Sequence, residues 1–274
     1  MATKHDFLSP STTPMRTMLR ELSSILGGPV ALLLQLAKPQ LASTVHIHSN
    51  FSQRILDRLF GTLLYVYCLL WGTDAQKKQI IGRVRGAHYR ATESKSQGSK
   101  SPRPANDPSL QLWVAATLYA TGIQMHTRIF GPVSSSFAEE ALQEFAVIAT
   151  SLNVAPELWP RDCASFWKYY QSEMASLRVS DDARMVAKDL LWNGNLPWWM
   201  RWTASPLARV LVVEWLPDEI RKGYGWERTW WTGWICGMLV WMLKNLYVFL
   251  PLEVRTLPVR YTIWTSRKLK DRSN

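Results

Sequence analysis

Two polar side chains interrupt the most apolar helix that the sequence predicts. Residues 55–70 are apolar almost all round, which is typical of a helix in the centre of a bundle. Arg58 and Thr62 are the exceptions, one helical turn apart on the same side. A guanidinium inside a buried helix needs a partner, because an unpaired buried charge is costly. That partner is a carboxylate such as Asp57 or Glu21, or the anionic groups of a bound cofactor.

The next predicted helix carries one histidine on its apolar face. Residues 75–88 are amphipathic, and Ile80, Val84 and His88 recur at helical spacing on one side. A single histidine in this setting is more often a hydrogen-bonded core residue than a metal ligand. The alternative is ligation, because neutral imidazole suits iron, copper or zinc. Periodicity alone leaves both interpretations of His88 open.

Other chemistry-bearing residues give weaker signals. His46 and His48 could chelate a metal only in an extended segment, since on a helix they point apart. His126 follows a predicted helix, and we expect it at the surface. Nucleotide-binding and hydrolase signatures such as GxGxxG, GxxxxGK[ST], GxSxG and HExxH do not occur. Three widely separated cysteines give neither a disulfide framework nor a zinc motif.

The elements that must position these residues are all predicted as helices. Asp107 followed by Pro108 marks a helix start, and Ser136 with Glu139 three residues later predicts a capping box. We expect a mobile basic loop at 93–106 and a connecting loop at 196–206. The fold class is all-α, as one large helical domain. The predicted helices are 30–36, 55–70, 75–88, 107–125, 136–150, 161–174, 181–191, 207–215 and 228–248.

Composition limits the partners of the chain. Its 274 residues are 47% hydrophobic and 19% charged, which excludes a disordered chain. The net charge of +11 admits nucleic acid, an anionic membrane surface or an acidic ligand. Nucleic acid is disfavoured, because the dense basic patches fall in a predicted loop and in the tail. No signal peptide is recognisable at the start, so we expect an intracellular protein.

Fifteen tryptophans are many for this length, and several cluster at 230–250. This stretch is either a buried core helix or an interfacial or spanning membrane anchor. Trp230, Trp231, Trp234 and Trp241, with the basic tail at 267–272, favour the anchor. Lys244 and Asn245 near its end disfavour a helix that faces lipid throughout.

Several segments resemble one known family in order and spacing. They are GGPVALLLQLAKP, HSNF, RLFGTLLYVYCLLWGT, RVRGAHYR, DPSLQLWVAATLYATG and PLEVRTLPVRY, from residue 27 to residue 261. The family is that of the ER-bound oxygenase MpaB and the latex-clearing rubber oxygenases. The resemblance implies a globin-like helical core in a catalytic domain at 27–274, preceded by an N-terminal segment at 1–26.

The resemblance also implies a cofactor and a site. The rubber oxygenases hold haem b and cleave an isoprenoid double bond with O₂, and MpaB shortens a prenyl chain. His88 of RGAHYR matches the proximal haem ligand, and Arg58 and Thr62 match polar residues on the distal side. There Arg58 is expected to stabilise developing negative charge and Thr62 to donate or relay a hydrogen bond. Trp113 and Thr117 are candidates for the pocket wall, although packing explains both equally well.

The sequence departs from the rubber oxygenases at three places. Gly61 stands where they carry a lysine, Ala115 where many bacterial members carry a histidine, and Ile47 near an expected glutamate. Polyisoprene is therefore disfavoured as a substrate, and we expect a smaller lipophilic metabolite, a terpenoid or a polyketide. Our leading hypothesis is a haem-dependent oxygenase of secondary metabolism that is associated with the endoplasmic reticulum membrane. The alternatives are another redox or rearrangement reaction on the same scaffold, or a non-catalytic, membrane-peripheral helical protein.

Overall fold

The computed structural model describes residues 13–48, 55–93, 106–192 and 195–271. It is 81% helical, and the described residues contain no strand, which confirms the all-α prediction and the single helical domain. The α-helices are α1 Pro14–Leu19, α2 Gly28–Leu36, α3 Pro39–His48, α4 Ile55–Trp71, α5 Asp74–Glu93, α6 Pro108–Phe130, α7 Ser135–Thr150, α8 Cys163–Ser176, α9 Asp181–Leu191, α10 Trp198–Trp202, α11 Ala204–Trp215, α12 Asp218–Gly223, α13 Trp230–Asn245, α14 Leu252–Arg255 and α15 Leu257–Asp271. Short 3-10 segments lie at Leu22–Gly27, Pro156–Leu158 and Tyr247–Phe249.

Helix α6 forms the centre of the domain. Its start is capped as predicted, since the Asp107 side chain accepts a hydrogen bond from the Ser109 backbone N–H and Pro108 occupies the first turn. Helices α1, α2, α7, α8 and α13 all contact it. Tyr119 of α6 is almost fully buried, and its ring meets Phe145 of α7 and Phe166 of α8 edge-on. These aromatic contacts join three helices into one hydrophobic core.

Helices α4 and α5 form an antiparallel hairpin that packs on the rest of the domain through one end. Residues 64–71 of α4 are buried, whereas residues 56–59 are exposed. The prediction of a helix buried throughout is therefore wrong for the first half of α4. Thr73 and Gln76 cap α5 reciprocally, each side chain accepting from the other residue's backbone N–H. The hairpin turn is thus fixed locally, and α7 and α15 pack against α4.

Two predicted details of the chain are wrong. The cap of α7 is Ser134, whose hydroxyl accepts from the Phe137 N–H at 3.2 Å. Glu139 instead accepts from the Cys163 N–H, which anchors α8 on α7. The expected loop at 196–206 contains helix α10 and the start of α11. The basic loop predicted at 93–106 lies almost wholly outside the described residues.

The stretch at 230–250 is not the buried helix that we weighed. Helix α13 ends at Asn245, and of its residues only Cys236 is buried. Within the described residues, no single helix is both long and apolar enough to cross a membrane. One pair, 22–36 with 39–46, meets the length and composition requirement together, but it is bent by 106° at the break.

Candidate functional site

The α4–α5 hairpin brings two of the three predicted site residues, Arg58 and His88, close enough for their charges to interact. Arg58 and Thr62 are exposed on the first half of α4. His88, on the last turns of α5, is half-buried, and the Arg58 charge acts on its imidazole. Residues that lie 30 positions apart in sequence thus share one end of the hairpin.

Burial, and then the nearby charge of Arg58, lower the pKa of His88 below its ordinary value. Both causes disfavour the imidazolium form. His88 is therefore neutral at neutral pH, which is the state in which imidazole can coordinate a metal.

Gln111 of α6 is a residue of this site that sequence reasoning missed. Its Nε2 atom lies 3.4 Å from Nδ1 of His88, and its Oε1 atom accepts a hydrogen bond from the Asn153 N–H at 2.9 Å. The amide is buried. A signal for it existed, because Gln111 is a polar residue among the buried apolar positions of the helix that follows Asp107.

Arg58 and Thr62 interact with each other along α4. The Thr62 hydroxyl donates a hydrogen bond to the Arg58 carbonyl oxygen at 3.0 Å. This is the usual bond of a threonine to the preceding turn, and it directs the hydroxyl proton to the helix backbone. The oxygen lone pairs of Thr62 stay able to accept a hydrogen bond from a molecule at this surface.

Further contacts hold the hairpin on α7. The Tyr65 hydroxyl contacts the Ser151 hydroxyl and donates to the Ile148 carbonyl at 3.2 Å. Arg85 of α5 donates to the carbonyls of Ser151 and Leu152 at 3.0 and 3.1 Å. Both helices are therefore tied to the end of α7, which fixes Arg58 and His88 relative to the core.

Each helix of the hairpin carries a glycine with free space beside it. A Cβ atom placed on Gly61 of α4 or on Gly82 of α5 would meet no atom within 4 Å. Leu56 and Leu59 of α4 are exposed leucines beside Arg58. The half-buried imidazole of His88, the Arg58 cation and the Thr62 hydroxyl are groups that could hold haem, an apolar cofactor with anionic edges.

The other residues that we considered for chemistry lie elsewhere. Glu21 does not pair with Arg58, because its carboxylate accepts from Arg255 and Tyr247. Trp113 is fully buried, with its ring N–H donating to the Leu34 carbonyl. Thr117 is equally buried and accepts from Gln35. Both are core residues.

The remaining histidines are distributed differently from expectation. His126 is not a surface residue after a helix. It lies within α6, half-buried, with its ring against Phe130 and Phe137. His46 is exposed near the end of α3, and the side chain of His48 falls outside the described residues. In the described part of the chain, no three His, Cys, Asp or Glu side chains are grouped to hold a metal ion.

The structure is an all-helical domain in which a histidine and an arginine interact across one hairpin. Residues 15–243 match the sequence profile of the catalytic domain of the ER-bound oxygenase mpaB/B′ and rubber oxygenase family. The chain belongs to this family, and the resemblance found in the sequence is confirmed.

Similar proteins add no further function. Two uncharacterised mycobacterial proteins, from Mycobacterium bovis and Mycobacterium tuberculosis, are each 30% identical to this chain over 164 residues. The match covers 60% of this chain and 63% of each relative. No solved structure matches the chain.

Proposed function

We propose that the protein is a haem-dependent oxygenase that acts on a lipophilic metabolite, in which His88 would ligate the iron of haem b. The observation that carries the proposal is the half-buried imidazole of His88, which the charge of Arg58 reaches across the α4–α5 hairpin. A histidine side chain is a common protein ligand of haem iron.

The residues of the chain have separable roles in this proposal. Burial, which lowers the pKa of His88, favours the unprotonated imidazole, and Gln111 contacts its Nδ1 atom. Arg58 would place a positive charge beside the negative charge that develops on oxygen during the reaction. The Thr62 oxygen would accept a hydrogen bond at the same place. When bound, haem b supplies an iron centre that reacts with O₂.

A lipophilic substrate agrees with the side chains around the site. Leu56 and Leu59 are exposed apolar residues on the same turns of α4 as Arg58. Gly61 adds no side chain where the rubber oxygenases carry lysine, so the space beside it stays open and uncharged. The substrate that we propose is a terpenoid or polyketide intermediate. It would be oxidised, or cleaved at a C=C bond, at the endoplasmic reticulum membrane.

The visible absorption spectrum tests the cofactor. Full-length protein from haem-supplemented cells should show a Soret band that His88→Ala abolishes. His46→Ala is the matched control, because His46 is an exposed histidine on α3, outside the hairpin. Absence of the band in the wild type, or its full retention in His88→Ala, contradicts the proposed ligation.

A second reaction on the same scaffold is favoured by Gly61 and Ala115, where the chain departs from the rubber oxygenases. Dehydrogenation could consume O₂ as the oxidant, and rearrangement would not use it. Neither reaction would place oxygen atoms from O₂ in the product. Incubation under ¹⁸O₂ distinguishes the two reactions. Labelled product supports oxygenation, whereas unlabelled product from an active enzyme supports the alternative.

A further inference from the structure

Helix α13 exposes a stripe of large apolar side chains. Trp230, Trp234, Met238 and Trp241 recur at spacings of four, four and three residues, so they share one side of the helix. Each is at least 45% exposed, and Trp230 reaches 70%. We call these four residues the α13 face. Because tryptophan has a large apolar surface, this much exposure is unusual for a helix in contact with water alone.

Another exposed aromatic residue lies in the turn that follows α13. Phe249 is 83% exposed at the end of the 3-10 segment Tyr247–Phe249, which packs against α13. The turn is held from behind, since the buried Tyr247 hydroxyl donates to Glu21 at 2.8 Å. The structure thus fixes Phe249 in an outward position by a buried hydrogen bond.

A second helix with exposed tryptophans, α10, packs against α11, as α13 does. Helix α11 contacts both α10 and α13. In α10, Trp198 and Trp202 are 75% and 78% exposed. The exposed tryptophans of this half of the chain are therefore concentrated on the two helices that pack against α11.

The C-terminal part of the sequence is positively charged. Residues 230–271 contain six basic and two acidic side chains. Lys244 is exposed in the last turn of α13, one turn beyond Trp241. Positive charge beside exposed aromatic rings is complementary to a surface that combines anionic groups with an apolar interior.

We propose that the α13 face and Phe249 dock the protein on an anionic lipid bilayer, with α13 lying in the interface. Tryptophan prefers this depth, because its ring is apolar and its N–H still reaches headgroups and water. The 16 residues of α13 rise about 24 Å, less than the roughly 30 Å of the hydrocarbon core, so the helix lies along the surface. This inference does not depend on the cofactor or on the reaction.

Vesicle co-sedimentation of the full-length chain tests the proposal. Vesicles of phosphatidylcholine with phosphatidylserine should bind the wild type more tightly than phosphatidylcholine alone, and salt should weaken the binding. The double variant Trp234→Glu/Trp241→Glu should lower the partition coefficient at least about tenfold, because two carboxylates then face anionic lipid. Val147→Glu on α7 and Met185→Glu on α9 are controls, since both positions are exposed apolar residues outside the α13 face.

Circular dichroism and thermal melting establish that the variants are folded before binding is compared. Equal vesicle binding by the double variant and the controls overturns the proposal, and so does a wild type that binds neither kind of vesicle. The alternative is that a second copy of the chain covers the α13 face. Light scattering coupled to size-exclusion chromatography measures the oligomeric state and tests this alternative. A wild-type dimer that the double variant converts to monomer, without vesicle binding, would assign the face to self-association.

Discussion

Nδ1 of His88 and Nε2 of Gln111 lie 3.4 Å apart, and the direction of this contact is set by a third residue. The Gln111 Oε1 atom accepts from the Asn153 backbone N–H, so the amide presents its NH₂ group to the imidazole. Nδ1 is then the acceptor, and the proton of the neutral ring lies on Nε2. Coordination of a metal through Nε2 requires that proton to move to Nδ1. There the N–H would face the NH₂ group of Gln111, which is itself a donor.

Gln111→Glu should therefore strengthen haem binding. A carboxylate accepts a hydrogen bond from Nδ1–H, and its second oxygen can still accept from Asn153. We expect the haem dissociation constant, measured by absorbance titration of the apoprotein, to fall about tenfold. Gln111→Leu is the contrasting variant, because it leaves the Asn153 N–H without this acceptor and should lower stability by about 1–3 kcal/mol. Equal haem affinity in wild type and Gln111→Glu would show that the contact does not control ligation.

The protonation of His88 should respond to Arg58. The pKa of His88 is lowered chiefly by burial and further by the Arg58 charge. Arg58→Gln removes the second cause, so the pKa of His88 should rise toward its ordinary value without reaching it. An NMR titration of the imidazole in the apoprotein measures this shift. Arg83→Gln, which changes an exposed arginine of the same α5 helix, should leave the pKa of His88 unchanged.

The same shift predicts how stability depends on pH. As pH falls through about 6.5, the ordinary histidine value, the unfolded chain binds a proton at His88 that the folded chain does not. The free energy of unfolding should decline until the lowered pKa of the folded state is passed. In Arg58→Gln this interval of pH should be narrower. A wider interval in the variant would contradict the assigned effect of Arg58.

Local signals in the sequence predicted much of the fold. The cap at Asp107 and the periodicity before His88 located α6 and α5, because both depend on neighbouring residues. Arg58 and His88 stood out as polar residues on apolar faces, and the hairpin does bring them to one end. The role of each residue toward haem stays a prediction.

Contacts between distant residues could not be predicted from the sequence. Glu21 pairs with Arg255, 234 positions away, although Arg58 was a candidate partner on charge alone. The composition of α13 indicated a core helix as readily as a surface one. Only the packing of the neighbouring helices decides that Trp230 and Trp234 are exposed.

The Glu21–Arg255 ion pair should contribute strongly to stability. Glu21 is 3% exposed, and its carboxylate accepts from Nε and Nη2 of Arg255 at 2.9 and 2.7 Å. Glu21→Ala should lower the free energy of unfolding by about 3–5 kcal/mol, because it leaves a largely buried guanidinium without this carboxylate. Asp181→Ala, which breaks the exposed pair with Arg184, should cost less than about 1 kcal/mol. Urea denaturation measures the free energy of unfolding of both variants. Equal losses would show that burial does not decide how much each ion pair matters.

Two glycines, one within α4 and one directly after it, should respond in opposite directions to the same substitution. Gly61 lies within the helix, and an added Cβ meets no atom within 4 Å, so Gly61→Ala should stabilise the protein by about 0.5–1 kcal/mol. At Gly72, directly after α4, a Cβ would lie 2.4 Å from the Cys68 carbonyl oxygen. Gly72→Ala must therefore shift the turn that joins α4 to α5, and should cost about 1–3 kcal/mol.

Because that turn sets Arg58 opposite His88, Gly72→Ala should also raise the pKa of His88, whereas Gly61→Ala should leave it unchanged. Denaturant melts and the imidazole titration check the two effects separately. A destabilised Gly61→Ala would show that the space beside α4 is filled in solution.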